Sequence, residues 1–216
     1  MFGEVLRFEL GYRLRQPLVY LFAALSFFMA FMAISTDSVQ IGGGIGNVAR
    51  NSPYVIIQML AMLSAVALVA VTLLLASATH RDHELGTREL FYSTPLGKKA
   101  YLGGRFAGAL VVAFLTLVPA AAGIMLSSQM PWQDPEHILP FRTMPYVYGL
   151  GIFALPNLYV AGAVFFAVAA LTRRAIYTYV ALVAFFVLWG VSQELLRDLD
   201  NRYLGALLDP FGLSSF

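Results

Sequence analysis

The sequence predicts an all-α, polytopic membrane protein with five transmembrane helices, and three observations predict it. Of the 216 residues, 59% are hydrophobic and only 12% charged, about half the charged share of an ordinary soluble domain. The apolar residues gather in five runs, each near or above the ~20 residues that cross a hydrocarbon core. The charged residues gather between those runs, with Lys and Arg unequally divided between the two sides. No polar block is long enough to fold as a separate soluble domain, so residues 1–216 read as a single transmembrane domain.

Residues 1–16 are the first element. Phe2, Val5, Leu6, Phe8, Leu10 and Leu14 recur at helical spacing, with Glu4, Arg7, Glu9, Arg13 and Arg15 between them. This is the pattern of an amphipathic helix suited to the headgroup plane. Pro17 opens the next element, since proline is tolerated in a helix's first turn. Residues 18–35 form the first span; the run exceeds the ~7–15 apolar residues of a cleaved signal. A polar, glycine-rich loop follows, then a second span over 54–79. Residues 80–105 are the most charged stretch and carry five of the fourteen basic residues. The third span is 106–127, with Pro119 inside it. A proline-rich loop with Trp132 at the interface leads to the fourth span, 145–171, which Pro156-Asn157 interrupts. After a turn at Thr172, Arg173 and Arg174 comes the fifth span, 175–193. Residues 194–216 read as an exoplasmic amphipathic segment, with Leu195, Leu196, Leu199, Tyr203 and Leu207 on one face and Asp209-Pro210 ending the helix.

Orientation follows from the basic residues. With five spans, residues 1–16, 80–105 and 172–174 share one side and hold ten Lys and Arg, against four on the other. The positive-inside rule therefore places the N-terminus and the 80–105 stretch in the cytoplasm.

The chemistry sought in the chain is mostly missing. There is no G-x-x-x-x-G-K-[ST], hence no P-loop in this sequence. Gly42-Gly43-Gly44-Ile45-Gly46 reads as a turn, not a dinucleotide fingerprint. His80-Arg81-Asp82-His83-Glu84 sets two imidazoles on one helical face but matches neither zinc-protease order. The third histidine, His137, falls on the opposite side of the membrane by this topology. The lack of cysteine excludes thiolate sites. No ionisable residue lies mid-span, which argues against an ion-coupled transporter working through these five helices alone. A net charge of +2 does not suggest nucleic acid. No catalytic, cofactor-binding or metal site is expected, and the chain is not expected to be an enzyme. Pro156 and Asn157 are read either as ordinary helix packing or as a kink that shapes a translocation path.

The central stretch has a logic of its own. Arg81, Asp82, Glu84, Arg88 and Glu89 continue the second span as a charged helix, Thr94-Pro95-Leu96-Gly97 breaks it, and Lys98 and Lys99 lead into the third span. This arrangement resembles the permease subunits of ABC-2 type transporters, in which a short cytoplasmic coupling helix between the second and third spans sits in a groove of a partner ATPase. Residues 1–16, 82–93 and 194–208 correspond to that family's interfacial, coupling and exoplasmic elements. The strings Gln40–Asn47 (QIGGGIGN), Arg50-Asn51-Ser52-Pro53-Tyr54, Glu84-Leu85-Gly86-Thr87, Tyr101-Leu102-Gly103-Gly104-Arg105-Phe106, Ala154-Leu155-Pro156-Asn157 and Asp209-Pro210-Phe211-Gly212 are closer still to a bacterial subgroup. In that subgroup the membrane half is fused to an M1-type zinc aminopeptidase.

The resemblance covers essentially the whole sequence and implies an ATP-driven exporter in a bacterial cytoplasmic membrane. It implies Asp82, Glu84, Arg88, Glu89, Phe91 and Tyr92 as the ATPase-coupling residues. The implied partners are a P-loop ATPase subunit carrying ATP and Mg, and a second permease half or homodimer copy. An M1-type peptidase is a further candidate partner. The family's sixth span and the peptidase's H-E-x-x-H do not occur in the sequence, which reads as a fragment, a truncated product, or one subunit whose missing parts come from elsewhere. The alternative reading, of a different class, is a non-transporting membrane anchor for a peptidase or other enzyme.

Overall fold

The computed structural model describes residues 1–36, 49–84, 97–172 and 174–197, and among the described residues every regular element is helical. In chain order they are α1 (Phe2–Arg13), α2 (Pro17–Ser35), α3 (Pro53–Glu84), α4 (Lys98–Leu115) and α5 (Val118–Ser127). A 3₁₀ turn at Pro135–His137 precedes α6 (Met144–Tyr148), a π-helical segment at Gly149–Ala154, α7 (Leu155–Thr172) and α8 (Ala175–Arg197). Five stretches among the described residues are long and apolar enough to cross a membrane: Pro17–Ser35, Pro53–Leu74, Lys98–Ser127, Met144–Thr172 and Ile176–Leu195. The chain has the helices of a multi-pass membrane protein.

Both ends of the 80–105 stretch are helical: α3 carries on into it, as the charged continuation of the second span suggested, and the next helix begins inside it. α3 continues to Glu84 and has 32 residues, about 48 Å at 1.5 Å per residue. That exceeds a hydrocarbon core of ~30 Å, so α3 has length to spare beyond a membrane. α4 starts at Lys98, ahead of the expected start of the third span. Asp82 and Glu84 fall in the last turn of α3. Arg88, Glu89, Phe91 and Tyr92 lie outside the described residues, as does 198–216 of the amphipathic tail.

Two prolines shape the spans. Pro119 has no N–H to offer and its ring clashes with the carbonyl four residues back. α4 accordingly ends at Leu115, and the chain turns through tighter bonds, Thr116 N–H to Ala113 O at 3.1 Å and Leu117 N–H to Phe114 O at 2.9 Å, before α5 begins. Pro156 disturbs the fourth span differently. The helix widens ahead of it, and the Leu155 N–H reaches back five residues to the Leu150 carbonyl, the bond of a π-turn.

The helices group into two compact units. One contains the described residues of Met1–Arg15, Leu68–Val112 and Tyr159–Phe216; the other is Gln16–Ala67 and Ala113–Leu158. In the first, Leu68, Val71 and Leu74 of α3, Ala109 and Val112 of α4, and Ala161, Phe165 and Ala169 of α7 are buried. Phe165 meets Phe185 of α8 edge-on, with ring centres 5.6 Å apart. In the second unit α2 packs on α5. The contact is close because small residues face each other: Ser26 and Ala30 from α2, Ala120, Ala121 and Gly123 from α5. A Cβ on Gly123 would stand 2.6 Å from the Phe27 carbonyl oxygen, so no side chain fits there.

Candidate functional site: the junction of the N-terminal helix

The most built polar feature of the first unit stands on Glu9. Its carboxylate is fully buried, and so are the two arginines that pair with it, Arg13 and Arg105. The pattern of residues 1–16 suggested a polar side shared by Glu4, Arg7, Glu9, Arg13 and Arg15. The structure divides it. Glu4, Arg7 and Arg15 are exposed, Glu9 and Arg13 turn inward, and Phe8 and Tyr12 are exposed instead.

Each member has a distinct task. Glu9 and Arg13 are four apart, so one turn of α1 brings them together, and the Arg13 Nε donates to Glu9 Oε2 at 3.0 Å. The other carboxylate oxygen, Oε1, stands 3.2 Å from the Arg105 Nε of α4. The Arg13 Nη1 continues past Glu9 and donates to the Leu74 carbonyl of α3 at 2.7 Å. One carboxylate and two guanidinium groups thus bind α1, α3 and α4 together. The Arg105 guanidinium also lies over the Tyr101 ring, 4.5 Å from its centre. Burying charge is tolerated only when it is paired and hydrogen-bonded, and this geometry supplies both.

The backbone of α4 is cut to fit. A Cβ on Gly104 would stand 2.8 Å from Val5 Cγ1, and one on Gly108 would stand 2.8 Å from the Cβ of Glu9. The two glycines flank Arg105, so α1 approaches closely enough for the ion pair to form. Sequence reasoning missed Glu9, Arg13 and Arg105 as a set. The signals were present: an acid and a base at i, i+4, and a small-x-x-x-small pair, Gly104 and Gly108, enclosing an arginine at the head of a span. A position-by-position search for charge in mid-span passes over both.

A second polar assembly closes the other unit at the Ser35 end of α2. The Ser35 and Ser127 hydroxyls share a hydrogen bond of 2.9 Å. The buried Gln133 amide donates to the Ile34 carbonyl at 3.1 Å and accepts from Arg50 Nη1 at 2.7 Å. Asn51 grips Leu139 with both ends of its amide: Nδ2 donates to the Leu139 carbonyl at 2.6 Å, and Oδ1 accepts its N–H at 2.7 Å. The Arg50 N–H donates to the His137 carbonyl at 2.9 Å. At the exposed rim Asp134 caps the 3₁₀ turn, and its carboxyl is held below the ordinary aspartate range. The backbone N–H of Glu136 is the main cause and the hydrogen bond to His137 the next.

The charges at Glu9 are engaged by one another, and no group of three His, Asp or Glu among the described residues is placed to hold a metal. Pro156 is exposed and Asn157 half-buried at the start of α7, outside both assemblies. Compared with protein-family models, with curated proteins and with solved structures, the chain matches none.

Proposed function

We propose that this chain is a membrane-spanning permease subunit, or one half of one, in an ABC-2 type ATP-driven exporter. The observation that carries the reading is the junction at Glu9. Residues 85–97 lie between the end of α3 at Glu84 and the start of α4 at Lys98. Those two helices are bound to each other through α1, by Arg13 on Leu74 and Glu9 on Arg105. A partner that grips the segment between them moves three helices as one body.

In this reading a P-loop ATPase dimer, carrying ATP and Mg, holds residues 82–93 in its grooves. Arg88 and Glu89 pair with its charges, with Asp82 and Glu84 beside them, and Phe91 and Tyr92 fill the groove. Closure of the ATPase on ATP tilts α3 and α4, and a second permease half or copy completes the path across the membrane. The wide π-turn ahead of Pro156 and the amide of Asn157 give the fourth span a place to bend along that path. By the positive-inside rule the N-terminus faces the cytoplasm of a bacterial cell.

The test is the triple substitution of Glu84, Arg88 and Glu89 by alanine. Substrate-coupled ATP hydrolysis is expected to disappear while the chain still inserts in the membrane; hydrolysis that remains coupled sinks the coupling assignment.

A further inference from the structure

The segment between α5 and α6 carries large apolar side chains that the protein leaves uncovered. Trp132 is 61% exposed, Phe141 56% and Met144 66%. In water such exposed apolar surface is costly, at roughly 25 cal/mol per Å². The backbone of the segment is tied to the rest of the unit. Asn51 takes both polar groups of the Leu139 backbone, and Arg50 takes the carbonyl of His137. Phe141 stacks on the buried Tyr146 with ring centres 5.9 Å apart.

Two further features indicate the surroundings. The first is backbone accounting. From Pro135 to Pro140 every N–H is donated within the protein, by Glu136, His137, Ile138 and Leu139, the prolines having none to donate. Irregular chain is tolerated beside lipid only when its polar groups are satisfied internally. The second is continuity. Met144 opens α6, and the same exposed surface runs on through Val147, Tyr148 and Ile152 of the fourth span. A span's exposed apolar face is covered by lipid, and Met144, with Phe141 three residues before it, adjoins that face along the chain. Arg142 is exposed next to Phe141, placed for a lipid phosphate, while the acidic Asp134 and Glu136 are exposed at the 3₁₀ turn.

We propose that residues 131–144 are an interfacial insert. Trp132, Phe141 and Met144 sit at the boundary between headgroups and acyl chains at the Ser35 end of α2, and Arg142 pairs with lipid phosphate. The occupant of this surface is the bilayer, as for the aromatic belts of other membrane proteins.

The chain has two tryptophans and no cysteine, which makes the test direct. In Trp189→Phe, Trp132 is the sole indole. Reconstituted in vesicles of phosphatidylcholine and phosphatidylglycerol, it is expected to be quenched most by lipids brominated near the glycerol end of the acyl chain. Iodide quenching is expected to fall roughly twofold or more below that of free tryptophan, as for an interfacial indole. Full access to iodide with no bromine quenching overturns the proposal in favour of a loop in water. Shielding from both quenchers overturns it in favour of cover by protein, a second copy included. A nitroxide on Phe141→Cys, with both tryptophans kept, gives an independent reading. Relaxation by oxygen above that by a water-soluble nickel chelate supports the insert, and the reverse order overturns it.

Discussion

The two polar assemblies hold their helices by different means. At the N-terminal junction everything converges on one carboxylate: Glu9 accepts from Arg13 on its own helix and pairs with Arg105 on α4. At the Ser35 end of α2 the work is spread over several side chains: Asn51 on Leu139, Gln133 on Ile34 and Arg50, and Ser35 on Ser127, with a single guanidinium and no buried carboxylate among these bonds. A hub of full charges is strong while complete and weak once one member is lost, since the remaining charges stay buried. A distributed network of amides loses a little with each bond removed.

Glu9→Ala is the sharpest way to break that contrast. It leaves the guanidinium groups of Arg13 and Arg105 without their shared carboxylate, and removing one partner of a buried pair costs about 3–5 kcal/mol. Thermal unfolding in detergent and protease release of α1 read the loss, and Glu9→Gln is expected to recover part of it. A loss no larger than that of a surface carboxylate would mean that the hub does not hold α1.

Gly108→Val follows in size. It removes no charge but pushes the Glu9 side chain, and with it α1, away from α4, at roughly 1–3 kcal/mol for overpacking, and a label on Phe8→Cys is expected to become more mobile. Asn51→Ala, in the second assembly, leaves the Leu139 N–H and carbonyl without their partner at about 1–3 kcal/mol. Amide exchange at Leu139 is expected to rise while exchange in α1 stays unchanged. A change in α1 would erase the distinction between the two assemblies.

The smallest effect concerns acid. The carboxyl of Asp134 is held below its ordinary range in the fold. Its contribution is therefore complete above that range and is lost as pH falls through the lowered folded value. The protection of the Glu136 amide, relative to an unstructured amide at the same pH, is expected to fall on strong acidification, and Asp134→Asn to remove that dependence. Because the group is exposed, melting of the spans is not expected to follow it.

The spans were legible because length and hydropathy suffice to mark a helix that crosses lipid. Pro119 and Pro156 were legible as interruptions, but not their different outcomes: a break through two tighter bonds at one, a π-turn at the other. That choice depends on what packs beside each proline. The burial of Glu9 and Arg13 was hidden for a related reason. Amphipathic periodicity assigns charges to the wet side, and only the arrival of Arg105 from a distant part of the chain reverses the balance. Gly104 and Gly108 permit that arrival, and a glycine's role in close approach shows only once the partner helix is in place. The charged continuation of α3 was legible in the sequence, while the start of α4 at Lys98 was not, because its lysines were read as the lead into a span that begins later.

The central claim is that this chain works with a P-loop ATPase through residues 82–93. Purification of the tagged full chain from its native membranes, with the bound proteins identified, tests it most directly. The account predicts recovery of a P-loop ATPase subunit that is lost when Glu84, Arg88 and Glu89 are replaced by alanine. Recovery of a peptidase without any ATPase, from wild type and variant alike, would contradict it and favour a membrane anchor.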